Sequence, residues 1–278
     1  MTAAAPGADA LGPVTPGGVA AGGGPARAFA SILWRDVFVT GRELPVFLAQ
    51  VVLQPFFFVF VFGKILTNLG FARGSYIDVL VPGIIALTVV ITGIQSTALP
   101  LVIEFGWTKE IEDRLLAPLP TAWVAMEKVT YATIRALIAG AAMFPISLAV
   151  IGAGPFRADR VGPLIGFLVL AAIAGAAMGL VLGTLVDAKR INIIFALVLT
   201  PLLFTGCSEY PWPALHHIVW FQDLTLVNPL TYASEGLRSS MIPHIAHLAT
   251  WIDAVVLAGA IVVLLAVGAA GFRRRALD

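Results

Sequence analysis

The sequence predicts an all-α integral membrane protein: six transmembrane helices, an N-terminal interfacial amphipathic helix, a short cytoplasmic helix, and a re-entrant outer segment between spans five and six. Three observations predict it. Hydrophobic residues make up 59% of the chain and charged residues 12%, about half the charged share of a soluble domain. Five apolar runs approach or exceed the roughly 20 residues that cross a bilayer as a helix, and a sixth run is shorter. The remaining charges gather at the ends of these runs and in one dense segment, 104–130.

Residues 1–25 are Ala, Gly, Pro and Thr with almost nothing to bury, and lack the basic start and apolar core of a signal peptide. They are expected to form a disordered cytoplasmic tail. From residue 26 to 44 the pattern changes. Phe29, Leu33 and Val37 recur at spacing four, and Arg27, Ser31, Arg35 and Arg42 return on the opposite side. That is the pattern of a helix lying in the membrane interface, with an N-terminal extension of the first span as the alternative. Gly41 and Pro45 separate it from the first span.

The transmembrane domain covers 45–278, with spans expected at 46–66, 79–103, 131–151, 161–186, 191–206 and 251–271. The first carries Gln50, Gln54, Pro55 and an aromatic block from Phe56 to Phe62. Two readings of that block stand: phenylalanines facing lipid, or a face with Gln50, Gln54, Phe56 and Phe60 lining a path for amphiphiles. The fourth span has no charge, and the fifth is short for a full crossing. The segment 207–250, rich in Pro, His and Trp, holds apolar pieces able to re-enter the bilayer edge.

Orientation follows from counting Lys and Arg. With both termini inside, twelve of the 17 basic residues fall on the inner side and five on the outer. The segment 104–130 is then cytoplasmic. A charge at mid-bilayer costs about 2.5–3.5 kcal/mol, so this segment is expected to face water. Thr108 with Glu110 and Glu112 reads as a helix start, and the Pro118-Leu119-Pro120 turn ends the helix. A solvated charge run is the plain alternative.

Several chemistries are excluded by motif. The chain has no GxxxxGK[ST] phosphate loop, HExxH or GxSxG. Its single cysteine, Cys207, rules out paired-Cys sites. His216, His217, His244 and His247 form interfacial hydrogen bonds or, on the second reading, hold a metal. Arg135 lies one turn inside the third span, where snorkelling to headgroups or a counter-ion role both fit. No series of intramembrane carboxylates marks a proton relay.

Two motifs carry a resemblance. The first is Lys109-Glu110-Ile111-Glu112-Asp113-Arg114-Leu115-Leu116-Ala117-Pro118-Leu119-Pro120, preceded by Glu104. The second is Asn228-Pro229-Leu230-Thr231-Tyr232-Ala233-Ser234-Glu235-Gly236-Leu237-Arg238. With the six-span layout they resemble the permease subunits of ABC type-2 transporters, and look closest to the drug and lipid exporters of the daunorubicin-resistance type.

The resemblance implies a half-transporter: two permease copies, identical or related, joined to two copies of a separate cytoplasmic ABC ATPase. The ATPase would bind ATP and Mg, leaving this chain with no cofactor and no enzymatic activity of its own. Membrane lipid is the other expected partner, and nucleic acid is not one. The acidic helix would be a coupling helix docking on the ATPase through Glu104, Lys109, Glu110, Glu112, Asp113 and Arg114, with Arg35 of the interfacial helix beside it. Spans one and five would line the exit path, adding Phe195 and Phe204 to the first-span residues. Asn228, Pro229, Tyr232, Glu235 and Arg238 would form an outer lid. The expected function is outward export of an amphiphilic drug, lipid or secondary metabolite across a bacterial cytoplasmic membrane. A lipid-linked glycan is the alternative cargo, and a non-transporting membrane scaffold is the remaining class.

Overall fold

Helix α1 (Pro25–Arg42) and helix α2 (Leu44–Phe58) are separated by Glu43 alone. The computed structural model describes residues 25–70, 75–108, 120–151 and 158–277. Pro45 stands in the first turn of α2, where its missing N–H leaves no bond unmade. The basic side of α1, with Arg27, Ser31, Arg35 and Arg42, is exposed, while Phe29, Leu33 and Val37 are half-buried. Phe29 meets the edge of Trp123 at 5.8 Å between ring centroids. Thr40 and Tyr131 share a hydrogen bond of 2.5 Å, fastening the end of α1 to the bundle.

Beyond Pro55 the first span widens into a π-helical stretch, Val59–Ile65, and closes with Leu66–Asn68. A proline removes one rung of the helical ladder, and a local π adjustment re-satisfies the freed backbone groups. Helix α3 (Ser75–Ile103) is the axis of the bundle: 78% of its apolar window is buried, against 22% for the first span. Helix α5 (Val161–Leu185) packs along it at backbone distance. A Cβ added at Gly175 would stand 2.4 Å from the Val90 carbonyl oxygen, and one at Gly179 would stand 2.6 Å from that of Ile94. Between apolar helices in lipid, such small residues permit the close van der Waals packing that replaces a hydrophobic drive.

Helix α4 (Thr121–Ile151) starts well before residue 131, where the apolar run was expected to begin. The reason is electrostatic. Lys128 is buried, and its Nζ donates to Glu104 Oε1 at 2.5 Å. The pair cancels the charges that had seemed to require water. Glu104, Glu127 and Lys128 therefore belong to helix ends, not to a water-facing loop.

Among the described residues five helices are long and apolar enough to cross a membrane, and helix α6 (Ile191–Thr205) is a shorter apolar helix. The next segment makes a 3-10 turn at Trp212–His217, then helices α7 (Val219–Thr225) and α8 (Pro229–Met241). Helix α8 is buried from Leu230 to Met241, against α3, α5 and helix α9 (Thr250–Leu277). Among the described residues there is no strand. One core joins the helices, with Leu80, Ile84 and Val90 of α3, Ala172 of α5, Leu237 of α8 and Leu257 of α9.

Candidate functional site

Between the first span and α3 lies a cleft of about 230 Å³. Gln50, Gln54 and Phe58 follow one another at four-residue spacing on α2, so they share a face. Thr88, Thr92 and Gln95 present the same kind of face from α3. Thr88 Oγ1 donates to the Ile84 carbonyl at 2.7 Å, leaving only its lone pairs toward the cleft. Gln50, Gln54 and Gln95 are exposed, and their carboxamides have no hydrogen-bond partner among the described residues. Among the described residues no charged side chain lines the space. A polar group left unsatisfied in hydrocarbon costs several kcal/mol; these three amides are exposed, so water or a polar ligand can meet them.

The sequence pointed to half of this wall. Gln50 and Gln54 are in it. Phe56 and Phe60 stack on each other at 5.9 Å and lie off the cleft, whereas Phe58, which lines it, stacks on Phe62 at 5.6 Å. Phe195 on α6 packs against the main core, Phe204 is exposed, and neither lines the cleft. Thr88, Thr92 and Gln95 were missed as wall residues. Their helical spacing was visible, but nothing in it tells which span they face.

From the start of α8 a second polar assembly forms. Asn228 caps the helix: its Oδ1 accepts from Leu230 N at 2.9 Å. Its Nδ2 donates to Leu202 O at 2.8 Å and Thr205 Oγ1 at 2.9 Å, tying α8 to the end of α6. Pro229 occupies the first turn, and Tyr232 donates its hydroxyl to Leu226 O at 2.8 Å. Glu235 and Arg238 form a fully buried ion pair. Glu235 also accepts from Trp212 N at 2.9 Å and Leu248 N at 3.1 Å. Arg238 donates to Cys207 O at 2.9 Å and approaches Val79 O at 3.4 Å. These two side chains thus fasten α3, the turn after α6 and the approach to α9 to one point. Cys207 has φ 49°, and burial pushes its thiol up to about 11.

The charged end of the bundle is held differently. Glu104 begins the π-helical stretch Glu104–Thr108 and pairs with Lys128. Lys109, Glu110, Glu112, Asp113 and Arg114 lie outside the described residues. Arg35 is exposed on α1, with Asp36 Oδ1 at 3.2 Å from its Nε. Arg275 Nη1 donates to the carbonyls of Gly183, Thr184 and Val186, completing the C-terminus of α5. Its guanidinium also lies 5.0 Å over Phe105, whose edge meets Phe272 at 5.4 Å. Arg135 places its guanidinium 4.2 Å over the Phe47 ring. His216 and His217 are ring neighbours at 3.7 Å. Among the described residues no group of three His, Cys, Asp or Glu converges as a metal site would require.

A bundle of membrane-length helices with a polar cleft has the layout of a multi-pass membrane protein. A family model described as ABC-2 type transporter matches residues 27–242, and the chain belongs to that family as a permease subunit. It is 27% identical over 218 residues to "Putative transport permease ycf38" of Cyanophora paradoxa, covering 74% of this chain and 72% of that one. It is 29% identical over 183 residues to "Inner membrane transport permease YadH" of Escherichia coli strain K12, covering 64% of this chain and 68% of the relative. No solved structure matches.

Proposed function

We propose that the chain is the membrane half of an ATP-driven exporter that carries an amphiphilic drug, lipid or secondary metabolite outward. The observation that carries this reading is the cleft, where three partnerless carboxamides stand beside Phe58 on the first span and α3. An amphiphile offers the polar contacts these amides need and an apolar tail for the surrounding helices. A lipid-linked glycan is the second reading, favoured by the stacked pairs Phe56–Phe60 and Phe58–Phe62 along the same span.

The energy comes from a partner. Two permease copies, identical or related, would join two copies of an ABC ATPase that holds ATP and Mg. Little protein covers the first span and α6, whose Leu53, Ile193 and Leu197 are exposed, which suits a second copy and lipid. The basic bias of the segments assigned to the inner side supports cytoplasmic termini, and the Escherichia coli relative's name, an inner membrane permease, supports a bacterial cytoplasmic membrane.

The coupling role assigned to 104–116 is tested by charge reversal. Glu110→Lys with Asp113→Lys should leave expression and membrane insertion intact while ATPase co-purification and substrate-stimulated hydrolysis fall about tenfold or more. The homogeneous permease should hydrolyse no ATP. Normal transport by the double variant would leave that segment a solvated loop, and hydrolysis by the permease alone would end the two-subunit reading.

A further inference from the structure

We propose that the cleft between the first span and α3 selects an amphiphile with an uncharged, multiply hydrogen-bonding head, such as a sugar or polyamide head on an apolar tail. The inference rests on the transport reading of that cleft and adds the class of head it accepts.

The walls decide the charge. Every described polar side chain around the space is a carboxamide or a hydroxyl: Gln50, Gln54, Thr88, Thr92 and Gln95. A cationic head needs a carboxylate or a dense aromatic cage, and a phosphate head needs Arg or Lys. Among the described residues the cleft has neither a carboxylate nor a cation, and Phe58 is its aromatic wall. Arg135 is not a wall residue, and its guanidinium is engaged over Phe47 and Tyr131. A charged head entering this space would give up part of its hydration with no counter-charge among the described residues to meet it, which is the costly case.

The walls also favour a neutral head actively. Each carboxamide offers two N–H donors and a carbonyl acceptor, and those of Gln50, Gln54 and Gln95 are bonded to no described residue. Hydroxyl groups donate and accept, so a polyol can meet both halves of an amide at once. Sites built on such unsatisfied groups reject ligands that lack the matching hydrogen bonds, because the site's own groups are then left unpaired. Phe58 supplies a flat apolar face at the same level, and Leu87 and Ile91 of α3 line the remainder.

The test is equilibrium binding to the full chain in phosphatidylcholine nanodiscs, with three radiolabelled probes that share one dodecyl tail: dodecyl glucoside, dodecyltrimethylammonium and dodecyl phosphate. The wild-type protein should bind the glucoside saturably and both charged probes about tenfold more weakly or worse. Gln54→Leu and Gln95→Leu should each weaken glucoside binding about tenfold, the loss of one or two desolvated hydrogen bonds. Gln54→Glu should shift preference to the ammonium probe. Both Gln54 and Gln95 are exposed in this chain, so these variants are expected to fold, and an unchanged melting temperature checks it. Wild-type preference for a charged probe would overturn the neutral-head inference while leaving the cleft a binding site. Equal binding of all three probes, unaltered by any variant, would overturn both.

Discussion

Arg238 and Glu235 show how much one pair of side chains can hold. Both are fully buried, and between them they reach Cys207, Val79, Trp212 and Leu248. Such a pair contributes little net stability compared with apolar packing, but breaking it leaves a buried charge uncompensated at a cost of about 3–5 kcal/mol. Arg238→Met should therefore lower the melting temperature sharply in detergent. Glu235→Gln combined with Arg238→Met should recover most of the loss, because no bare charge remains. An additive double variant would show that the pair is not coupled. The Asn228-to-Arg238 motif was legible in the sequence, including the i,i+3 pairing. Its remaining partners were not, because Cys207 and Val79 lie 31 and 159 positions away and contribute only backbone carbonyls, which no residue type announces.

At the scale of the element, α3 and α5 depend on glycine. Gly179→Val would drive a branched side chain into the Ile94 carbonyl, 2.6 Å from the new Cβ, where backbone cannot yield. The variant should express poorly or lose its cooperative melt, whereas Gly166→Ala, with open space around its Cβ, should melt as the wild type does. Equal melting of the two would mean that the close α3–α5 contact carries no weight. Hydropathy located these helices but misjudged the start of α4. It counts Glu127 and Lys128 as charges one at a time, whereas in three dimensions Lys128 meets Glu104 across 24 positions of sequence. The same arithmetic left α6 uncertain, and among the described residues it is the apolar helix too short for a full crossing on length alone.

For the whole molecule, class and function were written at different depths. Composition and apolar runs specify a membrane bundle, because hydrocarbon admits few other solutions for a buried backbone. The cleft needs two helices in register. Gln50 and Gln54 show themselves as amides in an apolar run, but only the packing of α2 against α3 brings Gln95, Thr92 and Thr88 opposite them. The central claim is that this space is a path open to water and substrate, not a polar scar sealed by lipid. Cys207 makes it testable without further engineering, since its buried thiol, pushed up to about 11, should stay inert to maleimides near neutral pH. Gln54→Cys and, as a control at an exposed position of the same helix off the cleft, Leu53→Cys should be prepared in the reconstituted complex with its ATPase. A membrane-impermeant maleimide should label Gln54→Cys at a rate that changes about tenfold or more when ATP is added, and should leave Leu53→Cys unlabelled. Labelling of neither position, or of both alike with and without ATP, would contradict the account.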